Sequence, residues 1–289
     1  MFIKEKGYAH WDGELKKKKF PWMPITRYGI KLAFRKKSFR FFFYGALAPS
    51  GIFLIGIYVS ERLEDFRSMI GETSRFVNIN PAYFKNFLAS DFLLFFLVIL
   101  LLLCGAGLIS DDLKYNSIQL YFSRPLKKRE YFFGKVSVIV FFLFLVTLVP
   151  GLILFIMKLV FAGDLKFFAS YPWLPLSIIG YSFLVTAFFS FYGLFLSSLS
   201  KNSRYVAVLI FGVYFFSHII FQIFDGIFKN PYFSLLSIRA NLQQMGAFFF
   251  NQKAPHAVPW IYSLLVLSGI CVLAGFVLKK RIRGVEVVK

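Results

Sequence analysis

The sequence predicts an all-α integral membrane protein with six transmembrane helices. The sequence also predicts an N-terminal interfacial helix and a short cytoplasmic helix between spans 2 and 3. Hydrophobic residues make up 58% of the chain, above the roughly 45–50% of soluble domains. They cluster in six runs of 18 or more residues with few charges, long enough to cross a hydrocarbon core of ~30 Å. The runs are 41–59, 92–109, 136–157, 173–199, 205–224 and 260–278.

The distribution of basic residues predicts which segments face the cytoplasm. The net charge is +20, and 25 of the 34 Lys and Arg residues lie in segments 1–40, 110–135, 200–204 and 279–289. Cytoplasmic loops of membrane proteins are enriched in Lys and Arg. Both termini are therefore expected to be cytoplasmic, in a multi-pass protein of the cell (inner or cytoplasmic) membrane. Attraction to anionic membrane lipids explains most of the charge, so no nucleic-acid partner is expected.

The segment before the first span, 25–40, is predicted to be a helix. Arg27, Lys31 and Arg35 recur at four-residue spacing and therefore share one stripe of that helix. A helix with such a basic stripe is suited to lie under the cytoplasmic leaflet. The alternative is a basic flank that only orients the first span.

The segments between the spans differ in length and so in their expected structure. Segment 200–204 is short, so spans 4 and 5 are expected to form a hairpin. Segment 225–259 is long, and its part 234–250 is compatible with a half-apolar helix that dips into the outer leaflet or packs on the bundle. Three parts of the chain result: a cytoplasmic extension with the interfacial helix (1–40), the six-helix transmembrane domain (41–278) and a basic cytoplasmic tail (279–289).

The polar segment 110–135 is the most elaborate connection in the chain. Ser110 is expected to cap a helix whose first turn carries Asp111 and Asp112, where acidic residues complement the helix dipole. That helix is expected to stop before Pro125. A second helix start then carries the basic cluster Lys127, Lys128 and Arg129.

The chain carries no recognisable catalytic or nucleotide-binding motif. It has no G-x-x-x-x-G-K-[ST], no H-E-x-x-H and no G-x-S-x-G. No catalytic, cofactor-binding or metal-binding residues are therefore predicted, and any energy for transport must come from another chain. His218 is the one ionisable residue well inside a predicted span, which argues against a proton-coupled carrier.

Part of the polar segment resembles the ABC-2 type family of ABC transporter permeases. The resembling residues are Ile109–Asp112, Leu120–Leu126, Arg129, Tyr131 and Gly134–Lys135. The match covers about 27 residues, and the six-span layout extends a weaker resemblance over most of the chain. The resemblance implies that the chain is the transmembrane subunit of an exporter, which is powered by a separate ATPase subunit that holds ATP and magnesium.

The resemblance also implies roles for individual segments. A coupling helix at 112–122 would dock on the ATPase, segment 25–40 would be the interfacial helix, and 225–259 would be a re-entrant outer segment. Two permease copies, identical or different, would work with two ATPases among membrane lipids. The residues expected at the ATPase interface are Asp111, Asp112, Leu113, Lys114, Tyr115, Arg124, Pro125 and Arg129.

Two other classes of function remain open from the sequence. A membrane-embedded transferase would need clustered polar groups, and Asp91, Asp225 and His256 form the one candidate set. An ATP-independent secondary carrier is disfavoured by the nearly uncharged spans.

Overall fold

The computed structural model describes residues 20–70, 79–122, 126–163 and 165–281. Throughout these ranges the ordered elements are helices, and no strand is present. In chain order they are α1 (Met23–Arg35), α2 (Lys37–Ile70), α3 (Pro81–Leu88), α4 (Asp91–Gly105), α5 (Gly107–Lys114), α6 (Ser117–Phe122), α7 (Lys128–Val146), α8 (Leu148–Ala162), α9 (Lys166–Ser170), α10 (Leu174–Leu199), α11 (Ser203–Phe228), a 3₁₀ helix (Pro231–Leu236), α12 (Ile238–Phe249) and α13 (Trp260–Arg281).

Six helical stretches in the described residues are long and apolar enough to cross a membrane, which confirms the predicted number. The second stretch joins α3, α4 and α5, and the third joins α7 and α8. The stretches are Lys37–Glu61, Pro81–Lys114, Lys128–Ala162, Leu174–Leu199, Ser203–Phe228 and Trp260–Arg281.

Helix α10 is the centre of the bundle and packs against helices of the second, third, fifth and sixth spans. Its small residues allow this close packing. A Cβ on Gly193 would lie 2.5 Å from Cδ1 of Leu101 in α4, and one on Gly180 would lie 2.6 Å from Cε1 of Phe249 in α12. Real Cβ atoms do not approach so closely, so a side chain at either position would force its neighbour on the adjoining helix to move.

The connection between α11 and α13 folds back onto the bundle instead of forming an open loop. Helix α12 begins at Ser237, whose hydroxyl accepts a hydrogen bond from the backbone N–H of Ala240. Its side chains Ile238, Leu242 and Met245 are buried against the bundle. The helix-compatible pattern within 234–250 therefore corresponds to a well-packed helix.

The segment after the second span differs from the prediction in two respects. Ser110 does not cap a new helix; it lies inside α5, and its backbone N–H donates to the Ser197 hydroxyl of α10 at 3.1 Å. A single helix over 112–122 is also wrong, because a turn separates α5 from α6. Asn116 in that turn has a φ of 53°, a left-handed conformation that ends helices and that asparagine tolerates.

Candidate functional site

The segment from α5 to α7 lies at one end of the bundle, which we call the basic end. Hydrogen bonds bring the elements there together: Thr26 of α1 donates to the Gly134 carbonyl of α7 at 3.1 Å, and Arg281 of α13 donates to the Ser198 carbonyl of α10 at 3.5 Å. Exposed cations line this end, among them Arg27, Lys31, Arg35, Lys37, Lys114, Lys127, Lys128, Arg129, Lys201, Arg204 and Lys279.

A buried ion pair connects the end of the second span to the start of the third. The Asp112 carboxylate lies 2.7 Å from Nζ of Lys135 and accepts a hydrogen bond of 2.6 Å from the Tyr131 hydroxyl. All three side chains are buried. A carboxylate can be buried at low cost only when it is paired and hydrogen-bonded in this way. The pair therefore fixes α5 against α7.

Helix α6 packs against this ion pair through one aromatic side chain. The rings of Tyr121 and Tyr131 lie 5.3 Å apart, and Nζ of Lys135 lies 5.7 Å from the Tyr121 ring centroid, within cation–π range. Burial raises the pKa of Tyr121, and the negative charge of Asp112 raises it further. Tyr121 is therefore a neutral phenol that packs α6 against Tyr131 of α7.

The opposite face of α6 and the preceding turn are open to contact. Tyr115 is 68% exposed and Leu120 is 70% exposed, whereas Ile118 between them is buried. Nζ of Lys114 lies 5.1 Å from the Tyr115 ring centroid. This part of the chain therefore presents an apolar, cation-edged surface, which we call the α6 surface: Lys114, Tyr115, Gln119 and Leu120.

The other predicted interface residues have different surroundings. Asp111 is half-buried, and Leu113 is partly buried against the core. Asp112 is bonded inside the chain, as described above. Arg129 is exposed in the first turn of α7 and faces a separate cavity. Arg124 and Pro125 lie outside the described residues.

Ser197 of α10 holds the other side of α5. Its hydroxyl oxygen accepts hydrogen bonds from the backbone N–H groups of Ile109 at 3.0 Å and Ser110 at 3.1 Å. The same hydroxyl donates to the Ala106 carbonyl at 2.8 Å. Helix α5 is thus fixed to α10 on one side and to α7 on the other.

Helix α1 packs closely on the start of α7. A Cβ on Gly29 would lie 2.6 Å from Cγ2 of Val138, and one on Gly134 would lie 2.9 Å from Cβ of Ile25. Arg27, Lys31 and Arg35 are exposed. The predicted basic stripe therefore points away from the bundle, while the glycine face of α1 contacts α7.

The candidate catalytic set of the transferase alternative, Asp91, Asp225 and His256, lies at the other end of the bundle. Asp91 forms an ion pair with Arg239 and accepts a hydrogen bond of 2.5 Å from the Gln243 amide. The His256 ring lies edge-on to Phe221, with the centroids 5.2 Å apart. Burial lowers the pKa of His256, and the Asp225 carboxylate acts in the opposite direction. Within the described residues, no three His, Cys, Asp or Glu side chains are grouped to hold a metal ion.

Sequence reasoning missed the residues that hold the site together. Lys135 and Tyr131 belong to the recognised string, but their bonds to Asp112 were not anticipated. Lys135 directly precedes the third hydrophobic run, 136–157, and this position is the available signal, because a charge at the end of a span needs a partner. Ser197 gave no signal beyond being a small polar residue in a span.

Comparison with known proteins agrees with the geometry of this chain. A model of the ABC-2 family transporter proteins matches residues 4–280, nearly the whole chain. Among curated proteins, no match is found. The family match confirms the resemblance carried by the segment between spans 2 and 3. The chain therefore belongs to the ABC-2 family of transporter proteins, which are membrane-spanning permeases of ABC transporters and not themselves catalytic.

Proposed function

We propose that this chain is the permease subunit of an ATP-driven exporter, and that the α6 surface receives the force of a separate ATPase subunit. The observation that carries the proposal is the combination of an exposed face and a rigid support. The side chains of Tyr115 and Leu120 are exposed, while the Asp112–Lys135 pair behind them fixes α5 to α7. Large exposed apolar side chains beside a charged rim are typical of protein interfaces.

The geometry supports a simple route from the ATPase to the membrane-spanning helices. Movement of α6 presses Tyr121 against Tyr131, which lies one turn before Lys135 on α7. Because Asp112 bonds to both α7 side chains, α5 and α7 move together. ATP binding by the partner would then bias the bundle between two arrangements, as a ligand biases any two-state equilibrium.

This route changes the role assigned to one predicted contact residue. Lys114 and Tyr115 remain proposed ATPase contacts, and the exposure of Leu120 adds a third. Asp112 instead acts as a positioning residue, because its carboxylate is bonded to Tyr131 and Lys135. Asp111 and Leu113 would support the edge of the interface.

The proposed complex has a defined orientation and composition. The basic end faces the cytoplasm of the cell, where ATP and magnesium bind the partner subunit, and both termini lie on that side. Helix α1 is the interfacial helix, with Arg27, Lys31 and Arg35 toward anionic headgroups. The segment 225–259, which contains α12, is the re-entrant outer segment. A second permease copy completes the unit.

The decisive experiment is purification of the tagged full-length chain from membranes of its own host. An ATP-hydrolysing polypeptide should co-purify with it. Tyr115→Asp and Leu120→Asp should each reduce the co-purified ATPase activity by about tenfold, since charging a central interface residue costs more than 1 kcal/mol of binding energy. Both side chains are exposed, so the variants should keep the fold.

Leu165→Asp is the matched control. Leu165 is 69% exposed and lies in a loop at the end of the bundle opposite the α6 surface. This variant should retain the full ATPase activity of the wild-type preparation. The proposal is wrong if no ATP-hydrolysing polypeptide accompanies the wild-type chain, or if both α6-surface variants retain it in full.

A further inference from the structure

A cavity of about 450 Å³ opens between α7, α10 and α13 at the basic end, away from the α6 surface. Its volume falls within the range of about 300–1,000 Å³ that is common for small-molecule sites. The cavity has two chemically different parts. Its rim carries Lys128, Arg129 and Lys279, and its floor is apolar.

The floor is built from aromatic and aliphatic side chains of three helices. The rings of Phe132 of α7 and Phe191 of α10 lie 5.8 Å apart, and Leu278 of α13 is buried beside them. Gly275 of α13 has open space beside it, because a Cβ there would meet only Cε1 of Phe191, at an ordinary contact distance of 3.9 Å. The floor therefore offers dispersion contacts to an acyl chain, and hydrogen-bonding groups lie at the rim.

The rim offers three cations that the described carboxylates do not neutralise. In the described ranges, no ion pair involves Lys128, Arg129 or Lys279. The neighbouring acidic residue, Glu130, is engaged by the backbone N–H of Lys127, which donates to its carboxylate at 2.8 Å. Arg129 can bind a phosphate through two parallel hydrogen bonds, and the lysines add positive charge.

We infer that this cavity binds one anionic phospholipid, with the phosphate at the Lys128–Arg129–Lys279 rim and an acyl chain on the Phe132–Phe191–Leu278 floor. The position favours this ligand over a soluble anion. The rim lies where the candidate spans α7 and α13 reach the basic end, and the floor continues into the apolar part of both helices. Since a helix that crosses a bilayer ends among the headgroups, a phosphate at this rim would belong to a lipid. Basic pockets between transmembrane helices recognise lipid headgroups in this way. The inference concerns lipid binding alone and does not depend on the ATPase partner.

The test is a lipid titration of the purified full-length chain in detergent, followed by native mass spectrometry. The probes are phosphatidylglycerol and phosphatidylcholine with identical acyl chains. One phosphatidylglycerol should bind with an affinity at least about tenfold higher than that of phosphatidylcholine. The triple variant Lys128→Gln, Arg129→Gln, Lys279→Gln should lose this preference.

Two further variants separate the site from general attraction to a basic surface. Gly275→Leu keeps all three cations but fills the floor, so it should weaken binding of phosphatidylglycerol by about tenfold, as expected when a site loses its apolar contacts. The control triple variant Lys37→Gln, Lys201→Gln, Arg204→Gln removes the same charge from exposed positions at the same end and should retain the affinity of the wild-type chain. Thermal unfolding of each variant in detergent checks that it is folded.

Four results would overturn the inference. If the cavity triple variant and the control triple variant bound phosphatidylglycerol with equal affinity, the preference for this lipid would come from surface charge in general and not from the cavity. Equal binding of the two lipids would make the cavity an unspecific apolar crevice. Displacement of the lipid by millimolar glycerol 3-phosphate would assign the site to a soluble phosphate. Binding by the monomer but not by a dimer of the chain would assign the cavity to an interface between copies.

Discussion

At the scale of single residues, the buried Asp112–Lys135 pair governs the site. Both side chains are nearly inaccessible, and the Tyr131 hydroxyl bonds to the same carboxylate oxygen as the lysine. Burying two charges is costly, so such a pair adds little net stability compared with apolar residues. Removing one partner of the pair is strongly destabilising, because the remaining charge then stays buried without its partner.

Lys135→Met is therefore expected to destabilise the protein strongly, by about 3–5 kcal/mol. Thermal unfolding of the purified chain in detergent measures the loss. The double variant Asp112→Asn, Lys135→Met removes both charges and should recover most of it. Lys114→Met, an exposed lysine near the same turn, serves as the control and should change the unfolding temperature little. A Lys135→Met protein as stable as this control would contradict the role given to the pair.

The surroundings of Asp111 and Asp112 could not be predicted from the sequence. The two acidic residues stand out there, and capping rules assign both to a first helical turn. The structure separates them: Asp111 is half-buried, and Asp112 pairs with a residue 23 positions later. Capping rules use local geometry, whereas this pairing depends on how α5 packs on α7.

At the scale of helices, the contact between α1 and α7 depends on glycine. The backbone at Gly134 lies so close to α1 that a methyl group there would lie 2.9 Å from Cβ of Ile25 and 3.2 Å from the carbonyl oxygen of Trp22. Neither atom belongs to the flexible end of a side chain, so α1 itself would have to move. Helix α1 and the third span are thus packed as one unit.

Gly134→Ala is expected to lower the stability of the purified chain by about 1–3 kcal/mol, the usual cost of overpacking. Gly51→Ala is the matched control, because a Cβ on Gly51 of α2 meets no atom within 4 Å. Alanine is the better helix former, so this control should be neutral or slightly more stable. Unfolding temperatures of the two variants in the same detergent make the comparison. A loss of equal size in both variants would mean that α1 does not rest on Gly134.

The limits of the helices show which signals the sequence carries. Hydrophobic runs identify the six spans, because each run must fill the thickness of a bilayer. The hydrophobic runs do not show where a helix ends when its last turns are surrounded by protein instead of lipid. Helix α5 continues to Lys114, past the end of the second run at residue 109, because Ser197 and the Asp112–Lys135 pair satisfy its polar groups.

At the scale of the whole molecule, the spans differ in how much of their surface the chain itself covers. The stretches around α4–α5, α7–α8 and α10 are half or more buried, whereas those of α2, α11 and α13 are mostly exposed. Apolar helix faces are compatible with lipid, so exposure alone does not identify a partner. It does leave room on the outer spans for both lipids and the second permease copy that we propose.

The orientation of the whole bundle can be tested by labelling with a membrane-impermeant maleimide. The background is Cys104→Ala, Cys271→Ala, since these are the free cysteines among the described residues. Lys201→Cys reports on the basic end and Leu165→Cys on the opposite end, and both positions are exposed. Because cytoplasmic loops are enriched in Lys and Arg, we expect labelling of the Leu165→Cys variant in intact cells. The Lys201→Cys variant should react only after permeabilisation.

The reverse labelling pattern would place the α6 surface outside the cell, where no ATP is bound and hydrolysed. The proposed docking of an ATPase would then be impossible, whatever the geometry of α6. Labelling of both positions in intact cells would indicate that the cells are leaky. A cytoplasmic protein followed in the same sample detects this, because it stays unlabelled when the cells are intact. With that control in place, the pair of cysteines decides whether the surface supported by Asp112, Tyr131 and Lys135 can meet a cytoplasmic ATPase.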